Sequence, residues 1–176
     1  MSRRLLVSVA ALVVAAAIVW LFLVRDTVVA PQVDTPVATA TLGSGEDAVA
    51  VTSSGGVVPW LPLPEEPELP ELPLAELPRG GRLAGPMLEQ ARVLGAAPAA
   101  LRPYLARSYY GTDGVDVETT AGIELRFGDA TQAARKWRAV AAVLADPSIE
   151  ALDYVDVSAP SRPGISGSGH TLPPPP

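Results

Sequence analysis

Between Val115 and Leu144 the spacing of apolar positions changes once, and most of the fold expectation follows from that change. Val115, Val117 and Thr119 alternate with Asp116 and Glu118, and Ile123, Leu125 and Phe127 alternate with Glu124 and Arg126. Two such runs around Thr120, Ala121 and Gly122 read as a hairpin with a three-residue loop whose glycine is left-handed. Thr119 then pairs with Ile123, Val117 with Leu125 and Val115 with Phe127. Every apolar residue goes to one face, and Asp116, Glu118, Glu124 and Arg126 go to a wet one. Past Gly128 the period becomes about 3.6. Asp129 is a capping candidate with Gln132 three residues on, and Ala130, Ala133, Ala134, Trp137, Val140, Ala141 and Leu144 fall on one stripe, closed by Pro147. A one-faced hairpin and a one-striped helix each need a cover, so the helix is expected across the apolar side of the sheet with Trp137 at the centre.

Weaker patterns flank this unit. "AVAVTSSGGVVPW", Ala48 to Trp60, predicts a second hairpin around Ser53 to Gly56, with Pro59 keeping its later strand at an edge or an end. A short helix is expected from Pro86 to Leu94, burying Met87, Leu88, Ala91 and Leu94. Strands are expected on both sides of the Asp113-Gly114 turn, and a last one over Leu152 to Ser158, ended by Pro160 and Pro163. Residues 161–176, rich in Gly, Ser and Pro, have no means of building a core and are expected to be disordered, with His170 among them. "PLPEEPELPELPLAELP", Pro62 to Pro78, carries six prolines and five glutamates, so it lacks ladder donors and is expected extended and solvated.

Leu5 to Val24 holds twenty residues without a charge, about 30 Å of helix, which matches a bilayer's hydrocarbon thickness. Arg3 and Arg4 precede it, whereas Arg25 is followed by Asp26, so the positive-inside asymmetry leaves residues 1–4 in the cytoplasm and exports the rest. A cleaved signal with its exit at Val28 to Ala30 is the rival, but the apolar run exceeds the ~7 to 15 residues of such a signal. Residues 25–47 read as a tether or at most a fragment of sheet.

Composition then removes whole classes of chemistry. Cysteine is absent, and with it thiolate nucleophiles, disulfides and thiolate metal sites. The formal net charge is -6 and the basic residues are scattered, which leaves no footprint for nucleic acid. The single histidine lies in the tail, so no serine or cysteine triad of the usual kind and no metal site is expected. Asp116, Glu118 and Glu124 could make a carboxylate cluster for hydrolysis, but they share the wet face, where charges are the default. Lys136, beside Arg135, reads as a surface charge. No catalytic residue, cofactor or small-molecule substrate is assigned.

The order of these pieces resembles the FtsQ/DivIB family of bacterial cell-division proteins. The matching residues are the hairpin "VAVTSSGGVVPW", the strand "GIELRFG" with Gly122, Ile123, Leu125, Phe127 and Gly128, then Lys136, and finally "YVDVSAPSRP" with Asp156, Pro160 and Pro163. The resemblance implies an α+β fold: one N-terminal transmembrane helix (residues 5–24), then a small extracytoplasmic domain of antiparallel sheet with two helices packed on one face. That β domain would occupy residues 48–160, with the insert at 62–78. The POTRA domain that the family carries next to the membrane has only residues 25–47 to occupy, as a remnant. The implied role is a non-enzymatic scaffold of the divisome, a single-pass protein of the cell membrane at the septum. It would dock the small bitopic proteins FtsB and FtsL and help control septal peptidoglycan synthesis. Docking by strand addition would use the free edge of the last strand, here Tyr154, Val155, Asp156, Val157 and Ser158. Two other classes stand beside it: an exported or anchored cell-wall hydrolase acting through the acidic hairpin, and a secreted binding protein.

Overall fold

A computed structural model describes residues 35–43, 45–64, 69–73 and 78–171. The expected membrane span, residues 5–24, lies outside them. Among the described residues no helix is long and apolar enough to cross a membrane.

Nine strands form one sheet: β1 (Ala38–Leu42), β2 (Val49–Thr52), β3 (Val57–Val58), β4 (Glu71–Leu72), β5 (Leu105–Gly111), β6 (Gly114–Thr119), β7 (Glu124–Gly128), β8 (Ala151–Asp156) and β9 (Gly164–Thr171). Their order across the sheet is β3-β2-β1-β4-β5-β6-β7-β8-β9. Helices α1 (Gly85–Gly95) and α2 (Ala133–Leu144) pack on it.

The expected antiparallel sheet is corrected to a mixed one. β4 runs parallel to both β1 and β5, and β8 runs parallel to β7. The reason for the second pairing is that α2 carries the chain back along the sheet before β8 begins, so β8 enters from the same end as β7. β4 comes from the Pro/Glu segment that was expected to be solvated. Glu71 and Leu72, between Pro70 and Pro73, keep their N–H groups, the Pro70 carbonyl accepts from the Thr41 N–H at 3.1 Å, and Leu72 is fully buried in the middle of the sheet. Residues 25–47, expected as a tether or at most a fragment of sheet, supply β1, whose residues Ala40 and Leu42 join the core.

The β6–β7 hairpin keeps the expected register at Val117↔Leu125, with Thr119 N–H donating to Ile123 O at 3.0 Å and Gly122 at φ 86°. A shift beyond Asp116 then pairs Val115 with Gly128, one residue past the expected Phe127. Val115, Val117, Ile123, Leu125 and Phe127 are all buried on one face. Trp137 is fully buried over them, its ring 4.7 Å from that of Phe127, and its indole N–H donates to Val93 O of α1 at 2.7 Å. One side chain therefore ties both helices to the sheet.

The start of α2 departs from a capping box. Gln132 occupies the cap position with a left-handed φ of 53° and makes no side-chain cap bond. Asp129 instead accepts from the Thr131 N–H and hydroxyl and from Lys136 Nζ at 2.7 Å. Lys136, expected on the surface, is 97% covered: 3% of its side chain is accessible, and it also donates to Phe127 O at 2.9 Å and Asp129 O at 3.0 Å. These carbonyls lie where the chain leaves the sheet, so the ammonium binds the end of β7 to the helix. Lys136 and Thr131 together hold the Asp129 carboxyl down at about 2, from an ordinary 3.8.

Candidate strand-docking edge

Of the five residues expected to form a free edge, Tyr154, Val155 and Asp156 are not at an edge, and Val157 and Ser158 follow the end of β8. Val155 and Val157 are fully buried, Tyr154 lies beneath the Arg126 guanidinium with its ring centre 3.9 Å from Cζ, and Asp156 accepts from the Ser158 N–H at 2.9 Å and hydroxyl at 2.7 Å. Their outer rim is occupied by the chain itself: Tyr154 pairs with Ser166, Val155 with Ile165 and Asp156 with Gly164. The tail expected to be disordered supplies that strand, β9.

What holds β9 is backbone and one carboxylate. All eight of its residues are exposed, so burial contributes little and the ladder to β8 contributes most. Across an irregularity between Leu152 and Tyr154, the Asp153 carboxylate reaches over β9 and accepts from the Gly169 N–H at 2.8 Å. Gly167 has φ 91°, and a Cβ there would overlap the Asp153 carboxylate, so only glycine fits. The His170 imidazole rests where a Cβ on Gly122 would be, beside the β6–β7 turn.

With β8 covered, the terminal strands among the described residues are β3 and β9. They differ in how they are guarded. β3 has two residues and is followed by Pro59, both devices that blunt an edge. β9 has eight residues with no charge and no proline, "GISGSGHT". Among the described residues no further strand pairs with its outer rim, which therefore offers a row of backbone donors and acceptors.

On the helix-bearing side of that edge lies a groove of about 450 Å³ lined by Ala139, Val143, Ile149, Pro160, Pro163 and Ile165, with Asp146 and Ala142 completing it. Ile165 is 47% exposed. The opposite face of the sheet is polar and cross-linked: Arg107 donates to Glu118 at 2.6 and 2.8 Å, and Arg126 donates to Glu124 at 2.6 Å. Asp116 has no such partner side chain within this network; partial burial first, then the charges of Glu124, Asp113 and Asp156, push its carboxyl from 3.8 up to about 6, against the pull of Arg126. Among the described residues no group of three His, Cys, Asp or Glu side chains is disposed to hold a metal ion. Of the three carboxylates considered for hydrolysis, Asp116, Glu118 and Glu124, the two glutamates are each engaged by an arginine of the same face.

No family model matches the chain, and no curated protein matches it.

Proposed function

We propose that the chain is a docking scaffold that captures another polypeptide by strand addition, with β9 as the receiving edge. One observation carries this reading: a terminal strand of eight residues, exposed on both faces and without charge or proline, at the end of a sheet whose other edge is short and followed by proline. Natural sheets ordinarily guard such an edge, and an unguarded one is the template that strand-adding partners use.

The partner class follows from the FtsQ/DivIB resemblance, which rests on sequence: small bitopic division proteins of the FtsB/FtsL type, engaged at the septum, with the scaffold held at the cell membrane through the apolar run of residues 5–24. In this reading the protein performs no reaction and acts by placing its partners where septal peptidoglycan synthesis is controlled. The site residues differ from those expected: the partner meets the outer rim of Gly164–Thr171, and Tyr154 to Asp156 lie one strand behind.

The test uses the alternation of N–H directions along an antiparallel strand. Of Ile165→Pro and Ser166→Pro, one removes a donor facing β8 and the other a donor facing outward. The outward one should leave the melting temperature within a few degrees of the parent and cut capture of an FtsB-type ectodomain by about tenfold or more. Unchanged capture in both folded variants would refute β9 as the edge.

A further inference from the structure

We infer that β9 is itself a displaceable strand, and that the edge of β8 beneath it is a second, covered strand-binding site whose ligand is an extended, β-prone segment with a bulky apolar residue in the place of Ile165. This rests on the reading that this end of the sheet receives a partner strand, and adds exchange to addition.

The grounds are local. β9 buries none of its eight side chains, whereas β8 buries Leu152 and Val155. Three of the eight β9 residues are glycine and two are serine, types that favour a strand poorly. Its attachment beyond the ladder is the Asp153 contact to Gly169 and the rest of His170 on Gly122. The link from β8 runs from Val157 to Pro163 and contains Pro160 and Pro163, whose fixed φ values hold the link in few shapes whether β9 is docked or released. Ile165 stands over the 450 Å³ groove and leaves it open. A side chain of phenylalanine size at that register, opposite Val155, would bury area that β9 leaves exposed. A bulkier strand with the same backbone pattern should thus outcompete the chain's own, provided that it keeps glycine where Asp153 crosses.

Opening can be read without any partner. In the full-length chain, amide exchange of Ile165 to Thr171 should be about a hundredfold or more faster than that of the β6–β7 ladder, and Asp153→Ala should speed it by a further tenfold or so. The binding arm uses a labelled peptide of residues 160–171 carrying Ile165→Phe and Ser168→Val, compared with the native-sequence peptide. The substituted peptide should bind the intact chain about tenfold more tightly than the native one. Gly169→Pro in the chain, which removes its own strand's donor to Asp153 while the peptide keeps one, should tighten both about tenfold, because apparent affinity scales with the fraction of open strand. Peptide binding that ignores Gly169→Pro in the chain would be addition to the outer rim and would overturn exchange, as would β9 amides protected like those of β6–β7. Fast opening with exchange of the peptide, but no capture of an FtsB-type ectodomain, would count against the proposed partner and leave this inference standing.

Discussion

Lys136 and Asp116 show at the level of single residues what spacing conveys and what it omits. Lys136 stands between Arg135 and Trp137, a position that reads as a helix surface, yet its ammonium is enclosed by Phe127 O, Asp129 O and the Asp129 carboxylate. The acceptors lie seven and nine residues back, at the end of a strand, and no periodicity reports where a strand's last carbonyls will point. Trp137 next to it was legible, because a large apolar residue in mid-stripe has one place to go. Asp116 was placed on the correct face by alternation, but its neighbourhood of Glu124, Asp113 and Asp156 depends on cross-strand pairing. Its folded value near 6 exceeds the ordinary 3.8, so the folded chain binds a proton over that window that the unfolded chain has lost. Stability from this group is therefore lowest above 6 and rises as the pH falls towards 4. Asp129 works the other way: its value near 2 gives a contribution present above 4 that is lost as the pH falls to 2. Asp116→Asn should raise the melting temperature by a few degrees at pH 7 and leave it unchanged near pH 4; an equal shift at both would exclude the charge as the cause.

At the scale of elements, strands carried by their own alternation were readable and strands carried by their neighbours were not. β6 and β7 have apolar and polar residues in strict turn, and their pairing follows from the pattern and Gly122. β4 has two residues between prolines, too few for any period. It is a strand because β1 and β5 supply the partners on either side. β9 has no apolar period at all, and it is held by the rim of β8 and by Asp153. The Pro/Glu segment thus bridges two parts of the sheet through Leu72. Leu72→Ala should cost about 3 kcal/mol by denaturant unfolding, whereas Glu71→Ala, on the exposed side of the same two-residue strand, should cost less than about 0.5 kcal/mol. Equal small effects would mean that β4 contributes nothing to the sheet.

For the molecule as a whole, the strand–helix–strand order contained more than was taken from it. A helix of twelve residues between neighbouring strands makes a parallel pair the natural outcome, and the antiparallel expectation came from the resemblance. The mixed sheet that results closes its interior under α1, α2 and Trp137 and leaves two ends that are unlike. One is short and followed by proline; the other is a bare, uncharged strand beside an apolar groove. That asymmetry gives the molecule a direction, with the buried core in the middle and, in the proposed reading, a receptive rim at the carboxyl side. The most direct measurement of that claim places a photo-activated cross-linking residue at Ser166 and, as a control at the other end, at Val58, in the full-length chain in growing cells. The account predicts a covalent adduct with a small bitopic membrane protein of the FtsB/FtsL type from Ser166 and none from Val58. Adducts of equal yield from both positions, or none from Ser166 in a folded protein, would contradict it.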